Sequence, residues 1–434
     1  MPSEFLDVAH LLRRSGFGGR RPEIEALTEM EWPDVVDLIL DTSPNPPVTE
    51  GVPNLNPDAT TWSERYVGMT HHWFERARTV PRPIEEKMAL FWHGLLCSGL
   101  DKVNQHYLMF DQIQLFRTAG LGDIVELYQA MAVQPAMLLY LDNKDNRRGS
   151  LNENFAREVM ELFTLGQGHY TEDDVAASAR AWTGHGLTSY DTYPRTYQFR
   201  ADRHDSDTKT FMGVTANWDG PEILNHILLG PKQRDAARFI SAKMWSFFAY
   251  PNPEPALVDD LATAMINGGM RADVVLRAIF NRPEFRSEKA RTGLVRSPIE
   301  YTVAALRHSN LTSSDIDPQW YVGEMGQSMY DPPNVSGWRQ NGYWISSSAM
   351  WAKARFASNL RWRAYDNEFL ADSAELPTET SVERALDTFG VFAASARTRA
   401  SLTNFVATER STSRWAESSG LIFLSLLTPE FQLA

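Results

Sequence analysis

The sequence predicts a mainly α-helical protein, and two observations carry that prediction. Apolar residues recur at helical spacing along most of the 434 residues, beginning with Phe5 and Val8. Only the stretch 186–218 departs from this spacing, because Tyr197 and Phe199 alternate there with polar neighbours. We therefore expect a short β-hairpin or an ordered loop as an insertion near 186–218.

Proline, glycine and polar clusters indicate where the helices begin and end. Pro22 and Pro33 lie near the starts of two early helices, a position that proline favours. Residues 43–60 and 328–346 are too rich in proline, asparagine and glycine to hold a helix, so loops are expected there. From residue 62 onward the expected helices span 62–79, 83–98, 104–118, 122–133, 151–165, 171–182, 221–229, 232–249, 254–267, 271–279, 298–308 and 347–363.

The chain shows no clear division into separate domains. No fixed-period repeat is present, which argues against a solenoid, and no convincing linker interrupts the helical pattern. A chain of this length can bury a large core. We expect one large helical domain over residues 1–363 and a C-terminal helical extension over 364–434, packed on the same core.

Composition limits the classes of function. The formal net charge of −13 argues against a general nucleic-acid binder, since phosphate binding depends on Lys and Arg. The single cysteine, Cys97, excludes an intrachain disulfide and a cysteine-based zinc cluster, and it fits a reducing compartment. No apolar run approaches the roughly 20 residues of a membrane span, and the first residues do not resemble a signal peptide. The expectation is a cytoplasmic protein with no membrane span.

One predicted helix, 151–165, carries a dense polar face. Asn154, Arg157, Glu158 and Glu161 lie at i, i+3, i+4 and i+7, so they share one side of that helix. Two carboxylates three residues apart beside a guanidinium could ligate a metal or act as an acid and a base. The same spacing is typical of a solvated helix face with an Arg–Glu pair, and this alternative stays open.

Two histidines lie on apolar helices. His93 belongs to a helix that is apolar on nearly every side, so its ring needs a hydrogen-bond partner inside the fold. If that helix and the next form a hairpin near 99–103, His106 lies within about 5 Å of His93 along the axis. Two satisfied core histidines are the alternative.

The insertion contains a further polar group of residues. His204, Asp205 and Lys209 suit proton transfer or the binding of an anion. A polar turn explains the same residues, and the sequence leaves both interpretations open. The chain contains no phosphate-binding loop, zinc-protease motif or nucleophile elbow.

Several motifs, in order along the chain, resemble one known family. They are AHLLRRSGFG at 9–18, LFWH at 90–93, PAMLLYLDNKDN at 135–146, NENFAREVMELFTLGQGHYTEDDVAASARAWTG at 152–184, HDSDTKTFMG at 204–213, VRSPIEY at 295–301 and GQSMYDPPNVSGW at 326–338. Together they resemble the bacterial DUF1800 family, a domain of unknown function, over about residues 5–365. The last 70 residues match it less clearly.

The resemblance implies a mainly helical single domain, often encoded beside a DUF1501 protein that resembles the sulfatase and alkaline phosphatase superfamily. It implies no established reaction. The family's polar pattern corresponds here to His93, Asn152, Glu153, Asn154, Arg157, Glu158, Glu161, Arg180, His204, Asp205 and Lys209. Two positions depart from the family pattern. Leu95 replaces a second histidine, which weakens a paired-histidine metal site, and His185 replaces a tryptophan, which offers a ligand at a new place.

Our leading hypothesis is an enzyme that hydrolyses or transfers a group on an anionic or carbohydrate-like substrate. Its buried mixed-charge pocket would lie between helix 151–165, the His93 helix and the stretch 200–210. The hypothesis assigns catalysis to Glu158, Glu161, His93, His204 and Asp205, and substrate binding to Asn154, Arg157, Arg180, Lys209 and Trp182. If a divalent metal is bound, its ligands would be Glu158, Glu161 and His93.

Two other hypotheses compete with it. The chain could be a non-catalytic helical scaffold that binds a partner such as the sulfatase-like DUF1501 protein. It could also bind or process carbohydrate, with Trp182, Trp338 and Trp344 as stacking surfaces. That third hypothesis requires the three rings to lie side by side and accessible to solvent.

Overall fold

The computed structural model describes residues 3–47, 61–189, 194–364, 376–410 and 414–434. Within these ranges the protein is mainly α-helical, as the sequence predicts. Parts of the expected loop 43–60, of the insertion and of the C-terminal extension lie outside the described residues.

Helices follow one another along the whole chain. In order they are α1 (Phe5–Ser15), α2 (Arg21–Thr28), α3 (Trp32–Leu40), α4 (Trp62–Thr79), α5 (Ile84–Leu95), α6 (Leu100–Val103), α7 (His106–Ala119), α8 (Ile124–Ala132), α9 (Pro135–Tyr140), α10 (Asn154–Glu158), α11 (Glu172–Ala181), α12 (Gly220–Leu228), α13 (Gln233–Phe248), α14 (Pro255–Asn267), α15 (Ala272–Asn281), α16 (Glu288–Arg291), α17 (Pro298–Ser309), α18 (Ser313–Ile316), α19 (Pro318–Glu324), α20 (Ser347–Arg363), α21 (Thr378–Thr388), α22 (Ala396–Glu409), α23 (Arg414–Leu427) and α24 (Pro429–Gln432). Single 3₁₀ turns span Asn143–Asp145, Ala201–Arg203 and Asn341–Ile345.

Local sequence explains many of the helix starts. Thr61 and Ser297 form capping boxes at the starts of α4 and α17. Each hydroxyl accepts a backbone N–H from the third helical residue, a glutamate, and the side chain of that glutamate accepts the backbone N–H of the capping residue. Proline occupies the first turn of α3 and α17, where its missing N–H costs nothing. The predicted helix boundaries therefore agree with the structure to within a few residues.

The helix expected over 151–165 is not a continuous α-helix. It is α10 followed by a π-helix over Val159–Thr164, in which the Thr164 hydroxyl donates to the Val159 carbonyl oxygen at 2.5 Å. A π turn takes more residues than an α turn, so residues after Val159 rotate away from the face that α-helical spacing predicts. The π-helix begins at the residue after Glu158, so Glu158 and Glu161 do not lie on one continuous α-helix.

The insertion contains two small antiparallel sheets rather than one hairpin. Strand β1 (His185–Leu187) pairs with β2 (Tyr197–Phe199), and β3 (Lys209–Phe211) pairs with β4 (Val214–Ala216). The tight turn between β3 and β4 is Met212–Gly213, and both residues have positive φ. That conformation matches the twist of a two-residue hairpin, which explains the glycine. The alternating residues at 197–199 form strand β2, and the strand that pairs with it, β1, precedes it in the sequence.

A single hydrophobic core joins all five described ranges. It extends from Val8 on α1 to Phe431 on α24 and includes Val382, Leu402 and Leu421 from the C-terminal helices. Helix α20 packs along α23, so the C-terminal helices share this core with the rest of the chain. None of the described helices has the length and apolar character needed to cross a membrane.

Candidate functional site

A cavity of about 320 Å³ lies between α5, the π-helix, α13 and the irregular segment 335–344. Its wall residues are Leu90, Phe91, Gly94, Leu95, Leu162, Lys243, Ser246, Phe247, Leu294, Val295, Ser297, Glu300, Gln327, Val335, Ser336, Trp338, Arg339, Gln340, Asn341, Trp344 and Ala434. They combine apolar side chains with a few polar and charged groups, which is the usual composition of a small-molecule site.

Two glycines shape this cavity. Gly337 has φ +81°, and a Cβ there would lie 2.2 Å from the Gly94 carbonyl oxygen, so the irregular segment packs directly against the backbone of α5. At Gly94 itself a Cβ would meet no atom within 4 Å, because the space beside it is open. A larger side chain at residue 94 would extend into that open space.

Glu300, a residue of the cavity lining, forms an ion pair with Lys87. The Lys87 Nζ donates to Glu300 Oε1, and Glu300 Oε2 accepts the Ser297 backbone N–H at 2.8 Å. Burial opposes ionisation of Glu300, but Lys87 and the capping hydrogen bonds outweigh it and hold its pKa below the usual range. Glu300 is therefore a fixed carboxylate at neutral pH, and its side chain is 12% exposed.

Positive charge exceeds negative charge around Glu300. Arg14, Lys87, Arg296 and Lys353 are each at most 4% exposed, and among the described residues Glu300 is the one carboxylate that acts on all four. Burial lowers the pKa of Arg14 and of Arg296 to about 9, and that of Lys353 to about 7. Such a surplus of buried cations is costly unless an anion compensates it.

Two more cations lie at the mouth of the cavity. Lys243 Nζ is 5.2 Å from the centre of the Phe239 ring, and Arg339 Cζ is 4.5 Å from that of Tyr343. Neither forms an ion pair with a carboxylate in the described part of the chain. Although Lys243 as a whole is exposed, desolvation by the surrounding walls lowers its pKa. Lys243 and Arg339 therefore present two positive charges at the mouth, and neither is paired with a carboxylate among the described residues.

The predicted polar face of 151–165 is engaged locally. Arg157 makes two hydrogen bonds to Glu172, at 2.8 and 2.7 Å. Glu161 accepts from Gln167 at 2.7 Å and from Tyr170 at 2.8 Å, and these bonds lower its pKa. Burial, with a smaller contribution from Glu161, raises the pKa of Glu158. None of these residues lines the cavity, although Leu162 of the same segment does.

Asn154 has a local role as well. Its backbone N–H donates to Asn152 Oδ1 at 3.0 Å, and its side-chain Nδ2 donates to the Leu141 carbonyl oxygen at 3.4 Å. These bonds hold the start of α10 against the segment that follows α9. Asn154 therefore lies at a helix start and outside the cavity.

The structure brings several predicted residues of the insertion together. Arg180 donates to both Asp205 oxygens, at 2.7 and 3.1 Å, and this pairing lowers the pKa of Asp205. His204 Nδ1 lies 2.9 Å from the Thr183 carbonyl oxygen. Lys209 Nζ donates to the Asp207 carbonyl oxygen at 3.0 Å and to Asn217 Oδ1 at 3.3 Å. These contacts tie the insertion to α11 and lie outside the cavity.

His93 and His106 occupy separate surroundings. His93 is fully buried among the rings of Trp73, Tyr330 and Trp338, and burial lowers its pKa to about 3. Neither ring nitrogen has a hydrogen-bond partner in the described part of the chain. His106 packs instead on Trp62, with ring centres 5.0 Å apart. The expected helical hairpin is present, with the short helix α6 in its turn, but the two rings do not pair.

The described residues contain no group of three or more His, Cys, Asp or Glu side chains that could hold a metal ion. Glu158 lies at the end of α10 and Glu161 in the π-helix, and neither lines the cavity. His93, on α5, lies in a cluster of aromatic rings. This arrangement gives no support to a metal site built from those three residues.

Two of the three tryptophans proposed as stacking surfaces are buried. Trp182 is 0% exposed and packs on Phe155 and His185, with ring centres 5.1 and 4.9 Å away. Trp344 is 4% exposed and lines the cavity together with Trp338. The three rings are not a solvent-exposed row.

Comparison with known proteins supplies the family. The model of a family described as "Protein of unknown function (DUF1800)" matches residues 10–433. The chain belongs to the DUF1800 family. No curated protein and no solved structure matches it. The predicted resemblance is confirmed, and the match includes the C-terminal residues that resembled the family less clearly.

Sequence reasoning named two residues that line the cavity of this DUF1800 protein, Trp338 and Trp344, and missed its polar and charged residues. Glu300 and Gln327 lie within two of the family motifs, but nothing in their local sequence distinguishes them from capping or loop residues. Lys87 gives only a weak signal, because it precedes the apolar part of α5 but directly follows Glu85 and Glu86. Lys243 and Arg339 give no such signal, since each lies in an ordinary polar context.

Proposed function

We propose that the protein is an enzyme that hydrolyses or transfers a group on an anionic, carbohydrate-like small molecule bound in this cavity. The observation that carries the proposal is that two cations of the cavity lining, Lys243 and Arg339, form no ion pair with a described carboxylate, while four buried cations outside the lining interact with one lining carboxylate, Glu300. An anionic ligand would compensate that charge, and the low local dielectric would strengthen the interaction. A cytoplasmic location and a hydrolase activity are parts of this proposal.

The polar groups of the cavity suit a hydroxyl-bearing ligand. Gln327 and Asn341 line it, and an amide both donates and accepts hydrogen bonds, as a sugar hydroxyl does. Each amide oxygen already accepts a backbone N–H, from Ile299 for Gln327 and from Val295 for Asn341, both at 3.0 Å. These bonds hold the two amides in place for a ligand. The ring of Trp344 offers an apolar surface beside them.

Each charged residue has a distinct role in the proposal. Lys243 and Arg339 bind the anionic group at the mouth. Glu300, ionised and held by Lys87, accepts the proton of an attacking water or hydroxyl. The attacking oxygen then bonds to the electrophilic atom of the substrate, and the leaving group departs with a proton from solvent.

The test combines binding and turnover. Calorimetric titration with glucuronate, glucose 6-phosphate and inorganic phosphate measures affinity, and release of 4-nitrophenol from its glucuronide, phosphate and sulfate measures hydrolysis. Lys243→Gln removes one charge at the mouth, so we expect its affinity for the bound anion to fall by about tenfold or more. Gly94→Leu fills the open space beside α5 and should abolish binding.

The matched control is Lys289→Gln, which removes a lysine paired with Glu254 on the surface outside the cavity. It should bind as the wild type does. If no anion binds at millimolar concentration, or if Lys289→Gln loses as much affinity as Lys243→Gln, the cavity is not an anion site. The scaffold hypothesis, with a sulfatase-like partner, would then be the better account.

A further inference from the structure

Exposed apolar side chains lie next to and after the cavity-lining residue Trp344 along the chain. Tyr343 is 53% exposed, Ile345 is 50% exposed, and Trp351 on the first turns of α20 is 69% exposed. Trp344, between the first two, is 4% exposed and lines the cavity. The segment therefore places the Trp344 ring in the cavity lining, while its sequence neighbours Tyr343 and Ile345 lie outside that lining.

We propose that the rim of the cavity binds the flanking units of an anionic oligosaccharide, one unit of which occupies the cavity. The inference rests on the proposed function and names its substrate as an oligomer rather than a single small molecule. The rim consists of Arg339, Tyr343, Ile345 and Trp351. The cavity, at about 320 Å³, is at the small end of ligand sites, so a longer chain would extend beyond it.

The chemistry of the rim favours a sugar chain. Flat aromatic faces pack on the C–H faces of sugar rings, and Trp351 is the most exposed large apolar side chain among the described residues. Exposed aromatic rings next to a ligand cavity are typical of a binding surface rather than of a solvated one. Arg339 lies over the Tyr343 ring at 4.5 Å, which holds that ring in position beside the mouth.

The charge of the rim favours an anionic chain. Arg339 and Lys243 stand at the mouth without a carboxylate partner in the described part of the protein. A repeating acidic sugar places a carboxylate on every unit, so a unit outside the cavity can reach Arg339 while another reaches Lys243. The overall charge of −13 works against nonspecific binding of polyanions, and binding should therefore depend on these local cations.

Chain length provides the test. Galacturonate and hexagalacturonate are titrated calorimetrically into the wild type, Tyr343→Ala/Trp351→Ala, Lys243→Gln and Trp62→Ala. We expect the hexamer to bind the wild type about tenfold or more tightly than the monomer. The double variant should lose that gain and keep the monomer affinity, because its substitutions lie outside the cavity. Lys243→Gln should weaken both ligands.

Trp62→Ala is the matched control, since Trp62 is 49% exposed and packs on Tyr66, not on the cavity. It should bind both ligands as the wild type does. Equal affinity for monomer and hexamer would overturn the rim assignment and leave the proposed function standing. Absence of binding by either would overturn the oligosaccharide assignment, whereas the proposed function depends on the titrations with glucuronate, glucose 6-phosphate and phosphate. Binding of hexaglutamate with the same loss in the double variant would assign the rim to an acidic peptide and overturn the sugar assignment.

Discussion

The charged segment 152–209 and the cavity differ in how their charges are matched. In the segment, Arg157 pairs with Glu172 and Arg180 with Asp205, so these two cations have carboxylate partners. At the cavity wall, Glu300 is the one carboxylate among the described residues that acts on all four of the buried cations Arg14, Lys87, Arg296 and Lys353. The comparison teaches that the density of charge along a sequence is a poor guide to a site. The informative quantity is charge left unmatched after folding.

The largest effect should come from breaking the buried pair. Glu300→Gln leaves Lys87 without an anion inside the fold, and we expect it to lower the free energy of unfolding by about 3–5 kcal/mol. Glu172→Gln removes the exposed partner of Arg157 and should leave the urea midpoint unchanged within error. Urea unfolding followed by circular dichroism measures both. Similar midpoints for the two variants would mean that the two regions do not differ as described.

A second prediction concerns the pH dependence of stability. Burial lowers the pKa of Lys353 to about 7, whereas an ordinary lysine has a value near 10.5. Between these two values Lys353 carries a proton in the unfolded chain but not in the folded chain. The free energy of unfolding therefore increases with pH from about 7 to about 10.5 and decreases as the pH is lowered through this range. Lys353→Met should remove this dependence and be more stable than the wild type at pH 6, by a few kcal/mol.

The measurement is the urea midpoint of wild type and variant from pH 6 to 10. Lys289→Met, at an exposed lysine, is the control and should follow the wild type. A constant difference between wild type and Lys353→Met over this range would contradict the prediction, because it would mean that Lys353 keeps its charge throughout.

The smallest expected effect concerns metal content. Both Glu161 oxygens are engaged by Gln167 and Tyr170, and His93 is enclosed by aromatic rings, so Glu158 lacks the partners needed to bind a metal. Elemental analysis should therefore give the same metal content for wild type and Glu158→Gln. Loss of a stoichiometric metal in both Glu158→Gln and His93→Ala, with each variant folded, would restore the metal hypothesis.

The helices could be predicted from sequence because apolar spacing and capping residues are local signals. The expected 298–308 agrees with α17, whose start is set by Ser297 and Pro298. The pairing of Arg180 with Asp205 was not predicted, because it depends on how the insertion folds against α11. The π turn at 159–164 could not be predicted, since its residues are ordinary helix formers and its extra residue is accommodated by packing.

The cavity could not be predicted because it is a product of tertiary structure. Its walls come from residues as far apart as Leu90 and Ala434, and no local pattern connects them. The ion pair of Lys87 and Glu300 joins residues 213 positions apart. Lys87 directly follows Glu85 and Glu86 in the sequence, and only the fold identifies Glu300 as its partner.

The π-helix has a consequence for how this wall tolerates insertions and deletions. Its Leu162 lines the cavity, and the residues that follow enter the turn before α11. Deleting one residue there would convert the wide turn into a regular α-helical one, and the residues on either side would keep their directions. The π-helix is therefore a place in the cavity wall where the loss of one residue is absorbed within the helix.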